Sequence, residues 1–332
     1  MTRALAFLVI AAGIVTLALF AVHDGASVAR AWLCAFVLIS MVPVGSLVLL
    51  LVHGVTGGRW GEDLSPVLIP AARTLPLLFL VFVPVMLFRP LIYSWDMLAL
   101  PHDVRSLYLN PLFFDARSIA AIAIWSGLAW TAAWRNPLYA ALGLITHLII
   151  VTFVPADWIL TIEPGSVSAG FGFGFGIEQL FAALAFAAIL APQSPGRATG
   201  DLAGLMVTTL LATVYFFYMA FIITWYGNIP DKVHWYTIRA GDGWAVEMLV
   251  AFVLAAALPF LAILYPRVRR EPALLRIVGM FMLFGVTLHV AWMIAPALGA
   301  TILVPALLAV GLMGLSLWRA GRVWEIVRGV HG

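Results

Sequence analysis

Five ionisable side chains stand where the surrounding sequence has least use for them. His147, Asp157, Glu178, Glu247 and His289 all fall inside long apolar runs. Burying such groups in lipid is costly, so each is a candidate functional residue. The chemistry available to them is proton transfer, since buried acids and imidazoles are the side chains that accept and release protons near neutral pH. The densest run is 147–179, HLIIVTFVPADWILTIEPGSVSAGFGFGFGIEQ, which adds Glu163 at its polar turn. The competing role is structural, a polar side chain that only ties neighbouring helices together.

The elements that must position these residues are membrane helices. Of 332 residues, 64% are apolar and 10% charged, which leaves too little polar surface to cover a soluble globule. Apolar runs of about 20 residues, enough to cross a bilayer, recur near 4–22, 30–53, 68–88, 112–134, 138–160, 167–191, 202–226, 244–265, 275–297 and 300–318. The run at 4–22 is longer than a secretory h-region and lacks a cleavage pattern, so it reads as a span. The expectation is an all-α polytopic membrane protein with about ten transmembrane helices in a single integral membrane domain, 1–332.

A weak repeat divides it. The loop after the third span reads Pro101-His102-Asp103-Val104 and then Tyr108, and the loop after the seventh reads Pro230-Asp231-Lys232-Val233 and then Tyr236. This fits two parallel four-helix bundles, spans 2–5 (28–163) and spans 6–9 (166–297), with outer helices and termini at 1–27 and 298–332. Twelve of the 18 Lys and Arg residues fall on the side of the amino terminus, which makes that side cytoplasmic and places both termini there. The opposite side carries most acids and two long loops rich in Trp and Tyr, 89–110 and 227–243. These loops read either as an interfacial aromatic belt or as a docking surface for an extracytoplasmic subunit.

At a rise of about 1.5 Å per residue, His147 lies roughly 14 Å into the fifth span and Glu178 roughly 16 Å into the sixth. The two therefore share the midplane on adjacent antiparallel helices. Asp157 stands ten residues beyond His147, about 15 Å higher. A water-bridged proton ladder from His147 and Glu178 to Asp157 is the expectation, with His289, Trp292 and Pro296 lining a quinone pocket or a second proton path. Gly170 with Gly174 and Gly172 with Gly176 are small-xxx-small pairs suited to close helix packing. Gly54, Gly57, Gly58 and Gly61 suit a tight turn. The single Cys34 excludes a CxxCH haem attachment, an iron–sulfur ligand set and a disulfide. The expectation is therefore no metal site from cysteine and any redox centre on a partner or held by histidines, and the basic balance calls for no nucleic acid.

Four segments carry a resemblance. They are Gly45-Ser46 with HGVTGGRWGEDL, LPLLFLVFVPVMLF at 75–88, Asp157-Trp158 followed by Ile162-Glu163-Pro164, and Trp225-Tyr226-Gly227-Asn228-Ile229-Pro230 with Trp235-Tyr236. Together, from the second span to the ninth, they resemble the ActF membrane subunit of alternative complex III, in the NrfD/polysulfide reductase membrane-subunit family. The resemblance implies a multi-pass subunit of a quinol:cytochrome c oxidoreductase in the bacterial cytoplasmic (inner) membrane. Its partners would be a related NrfD-like subunit, an iron–sulfur protein and c-type cytochromes, with haem c and iron–sulfur clusters on those partners. The chain itself would bind no cofactor and would contribute a proton path and an assembly surface. Asp157 matches the DW position of the family, whereas His147, Glu178 and Glu247 rest on chemistry and depth. His289 stands near a place where the family would carry an acid. Two other expectations remain open from the residues: a quinol-binding subunit in its own right, using His289, Asp157 or Glu247, and a secondary transporter with a midplane site around Glu178.

Overall fold

A computed structural model describes residues 25–96, 102, 107–163, 166, 168–190, 197–228 and 230–297. All regular structure among them is helical. Eight helical stretches are long and apolar enough to cross a membrane. They match the second to ninth expected spans; the first and tenth lie outside the described residues.

Local chemistry sets the helix ends. Helix α1 (Gly25–Thr56) stops at Gly57 and Gly58, both at positive φ (67° and 100°), a conformation that glycine adopts without a Cβ clash. The expected turn at 54–61 is thus narrower than its four glycines suggest. Helix α2 (Arg59–Ala72) starts at once, with Gly61 packed on the ring of His53. His53 Nε2 also lies 2.8 Å from the Gly58 carbonyl oxygen, which makes this histidine a tie across the turn. Pro76 interrupts the span, so that a 3₁₀ turn, Leu75–Leu77, separates α2 from α3 (Leu78–Leu87). Helices α4 (Pro111–Trp130) and α5 (Pro137–Ile159) both open on Asn-Pro. Each asparagine side chain accepts backbone N–H bonds as an N-cap, and proline follows at the first helical position.

The second half contains α6 (Phe171–Leu190), α7 (Arg197–Gly227) and a short helix α8 (Pro230–Ile238). It continues with α9 (Trp244–Phe252), a π turn over Val253–Ala257, α10 (Leu258–Leu264) and α11 (Pro272–Ile294). Helices α1 and α6 form the centre, with 83% and 67% of their membrane-length windows buried, whereas α7 and the α9–α10 span are outer walls at 22%. Helix α1 packs on α2, α3 and α5, and α6 packs on α7 and α11; α4 lies on α5 and α9 on α11. The two central helices cross at Gly45, where a Cβ would stand 1.9 Å from the Gln179 carbonyl oxygen.

The alternating glycines of α6 divide by face. Gly172 and Gly176 meet Val151 of α5, with the added Cβ at Gly172 only 2.0 Å from the Val151 carbonyl oxygen. Gly170 has open space around it and Gly174 meets only Phe216 and Phe217. One of the two expected pairs therefore packs a helix, while the other borders a cavity, because alternate residues of a helix point in different directions. Gly172→Ala is expected to destabilise the protein by about 1–3 kcal/mol through overpacking against backbone. Gly170→Ala should leave the thermal unfolding midpoint in detergent unchanged.

Candidate functional site

Between α6, α7, α8, the α9–α10 span and α11 lies a cavity of about 570 Å³. Its walls are chiefly apolar and aromatic, with Phe171, Phe181, Phe217, Phe221, Met248 and Trp292 among them. Two residues set its chemistry. Glu178, on α6, and His289, on α11, both border it, and His289 Nδ1 lies 2.6 Å from Glu178 Oε1. Glu178 is 1% exposed and its Oε2 has no hydrogen-bond partner. At this distance a hydrogen bond joins the buried carboxylate and the imidazole. Since Nδ1 is engaged by Glu178, Nε2 is the ring nitrogen left for the cavity.

The imidazole is held on both faces. Phe217 of α7 meets it edge-on with ring centroids 4.6 Å apart, and Trp292, one turn further along α11, lies nearly parallel at 5.9 Å. Trp292 Nε1 donates to the Arg239 carbonyl oxygen at 3.1 Å. Arg239 lines that end of the cavity. Its Nε and Nη2 donate to the Met293 carbonyl oxygen, capping α11, while Nη1 donates to both Glu163 carboxylate oxygens and to the Trp235 carbonyl oxygen. The guanidinium also lies 3.8 Å over the Trp235 ring, a cation–π contact. Burial pushes the affinity of Arg239 for its proton down and the Glu163 carboxylate opposes this. Burial pushes the neighbouring Tyr236 hydroxyl up to about 12, which keeps it neutral.

Among the described residues no direct hydrogen bond or ion pair joins any two of His147, Glu178 and Asp157; each has other partners. His147 Nδ1 accepts from Trp125 Nε1 at 3.2 Å. Because an indole only donates, His147 carries its proton on Nε2. Asp157 is held by Arg117 through a fork, Nε to Oδ2 at 2.7 Å and Nη2 to Oδ1 at 3.1 Å. The Arg117 guanidinium in turn lies over the rings of Tyr108 and Phe113 and donates to the Tyr108 carbonyl oxygen. Trp158 Nε1 donates to Ser118 Oγ, and the Tyr93 hydroxyl donates to the Trp158 carbonyl oxygen. The Asp157-Trp158 dipeptide is therefore a tie between α4, α5 and the segment after α3. Glu247, on α9, does not border the cavity and lies within electrostatic reach of Cys34 on α1.

Of the five sequence candidates, then, the fold brings together Glu178 and His289 and sets the other three apart. Arg117 and Arg239 were not singled out from sequence. Arg117 carries a signal, since an arginine six residues into an apolar span calls for a buried partner, and Asp157 sits at the matching end of the next span. Arg239 carries none, because it lies in a loop where arginine is ordinary. Among the described residues no three His, Cys, Asp or Glu side chains converge in a metal-binding group. No protein-family model matches the chain, and no characterised protein matches it in sequence. Fold and composition define the class, an all-helical protein built to cross a membrane many times.

Proposed function

We propose that this chain is a membrane subunit of a quinol-oxidising, electron-transfer complex and that the cavity beside Glu178 and His289 is a quinol site. The observation that carries this reading is the buried carboxylate–imidazole pair at the edge of a large aromatic cavity. A quinol is a flat ring with exchangeable hydroxyl protons and an apolar tail, and those walls and that pair suit both parts. On oxidation, a quinol hydroxyl gives its proton to His289 Nε2. Glu178 stabilises the resulting imidazolium through Nδ1, as a carboxylate does in other acid–base pairs. The second hydroxyl proton leaves to water, and the two electrons pass to iron–sulfur or haem c centres on partner subunits.

The matching neighbour order of the two halves, α1 with α2 and α5, α6 with α7 and α11, supports two parallel four-helix bundles within a ten-helix protein. The resemblance to ActF supports a bacterial cytoplasmic membrane, both termini inside, and partners that include a related NrfD-like subunit, an iron–sulfur protein and c-type cytochromes. The assembly role falls to the face that carries Glu163 and Arg239. A proton path through Asp157 loses ground to this reading because Arg117 occupies both oxygens of that carboxylate. Purification through a tag on this chain is expected to recover c-type haem, non-haem iron and oxidation of a soluble quinol analogue. Recovery of a homo-oligomer free of haem and iron would contradict the reading.

A further inference from the structure

We propose that the cavity opens sideways to the bilayer, through the seam between α9 and the facing stretch of α7, and that an apolar tail on the ligand lies in that seam. The proposal rests on the cavity being a ligand site and adds how the ligand reaches it. Three observations carry it. The end of the cavity toward Glu163 is lined by α8 and by Arg239, whose guanidinium is bonded to Glu163, to the Trp235 carbonyl oxygen of α8 and to the Met293 carbonyl oxygen of α11. Helix α7 packs on the opposite wall chiefly at the π turn, α10 and the segment Pro266–Arg270 beyond it, whereas α9 packs chiefly on α11. The wall is thus packed more closely below, and above it Ala245 and Phe252 of α9 line the cavity while exposed at the surface.

The residues bordering the upper stretch are apolar or aromatic. Phe216, Ala220 and Phe221 stand on α7, and Ala245, Met248 and Phe252 on α9. A charged solute gains nothing from such a seam, whereas an alkyl chain lies in it as it lies among lipid tails, away from water. The third observation is how the wall is seated. The π turn rests on Gly285 of α11, where a Cβ would stand 2.4 Å from the Ala255 backbone nitrogen. π turns inside α-helices recur at functional sites. Here the turn anchors the more closely packed half of the wall to α11.

The test uses the full-length chain purified with whatever partners accompany it. Two probes are compared, a benzoquinone bearing a decyl chain and the same ring with a methyl group in its place, with binding read by quenching of tryptophan fluorescence. Ala245→Trp fills the seam from an exposed position. As a second variant, Ala245→Cys is labelled with a lipid-soluble maleimide, the native Cys34 being buried. Both changes are expected to weaken the decyl probe by about tenfold or more, and to leave the methyl probe unaffected. Equal effects on both probes, or none on either, would overturn the seam. His289→Phe separates the two claims. If it abolishes binding of both probes while the Ala245 variants change nothing, the cavity stands and the sideways opening falls; if it changes neither probe, the cavity reading falls first.

Discussion

Glu178→Gln is expected to lower quinol oxidation by the purified complex about 10²- to 10⁴-fold, the range for removing a positioned acid–base group. The substitution keeps the size and one hydrogen-bonding oxygen of the side chain, so the distance to His289 can be preserved while the charge is lost. A neutral amide does not stabilise the imidazolium that forms when His289 accepts a proton. His289→Gln should cause a loss of similar size, and the double variant should be hardly worse than either single one, because residues that act as a unit are not additive. Steady-state oxidation rates, normalised to haem content so that assembly is controlled, check this. Additive losses, or a Glu178→Gln complex with normal rates, would remove the pair from the mechanism.

Asp157→Asn is expected to act on stability. The Asp157 side chain is 1% exposed and that of Arg117 14%, and removing one member of such a buried pair leaves the other charge without compensation. The cost of that is about 3–5 kcal/mol, enough to deplete the folded protein in the membrane. Replacing both members together, Arg117→Met with Asp157→Leu, should recover most of the lost stability, since an apolar pair of similar volume is often neutral or better. Thermal unfolding in detergent and the yield of assembled complex are the measurements. A proton-relay role for Asp157 predicts the reverse, normal yield of Asp157→Asn with slow turnover and no rescue by the second substitution.

These two residues also mark how far the sequence could be read. Span positions were legible because about 20 apolar residues cross a bilayer whatever surrounds them. The starts of α4 and α5 were legible in the Asn-Pro pairs at 110–111 and 136–137. Spacing along a helix was legible too, since it follows from rise per residue. Direction around the helix was not. Helix α6 is apolar on every side and packs on α1, α5, α7 and α11, so no polar stripe tells which neighbour Glu178 faces. Depth alone paired it with His147 of α5, whereas packing paired it with His289 of α11. The same ambiguity made Gly170 and Gly174 look like a packing pair when they border the cavity. The ion-pair partner of Asp157 was missed for a different reason. Its partner lies 40 residues earlier, and an Arg–Asp bridge between two spans leaves no local pattern.

Neither the turn of α8 over the cavity nor the role of Arg239 follows from composition. The segment 227–243 reads as an aromatic loop, and only the assembled fold shows its single arginine bonded to the end of α11, to Glu163 and to the adjoining helix α8. What the sequence did supply was both members of the pair as candidates, a histidine and a glutamate inside apolar runs where burial is costly.

The most direct measurement is a cryo-EM structure of the purified complex saturated with a ring-headed quinone analogue. The account predicts ring density in the cavity between α6, α7 and α11, with a ring oxygen at hydrogen-bonding distance from His289 Nε2. Ring density elsewhere in this chain, or a cavity holding the same lipid density with and without the analogue, would contradict it.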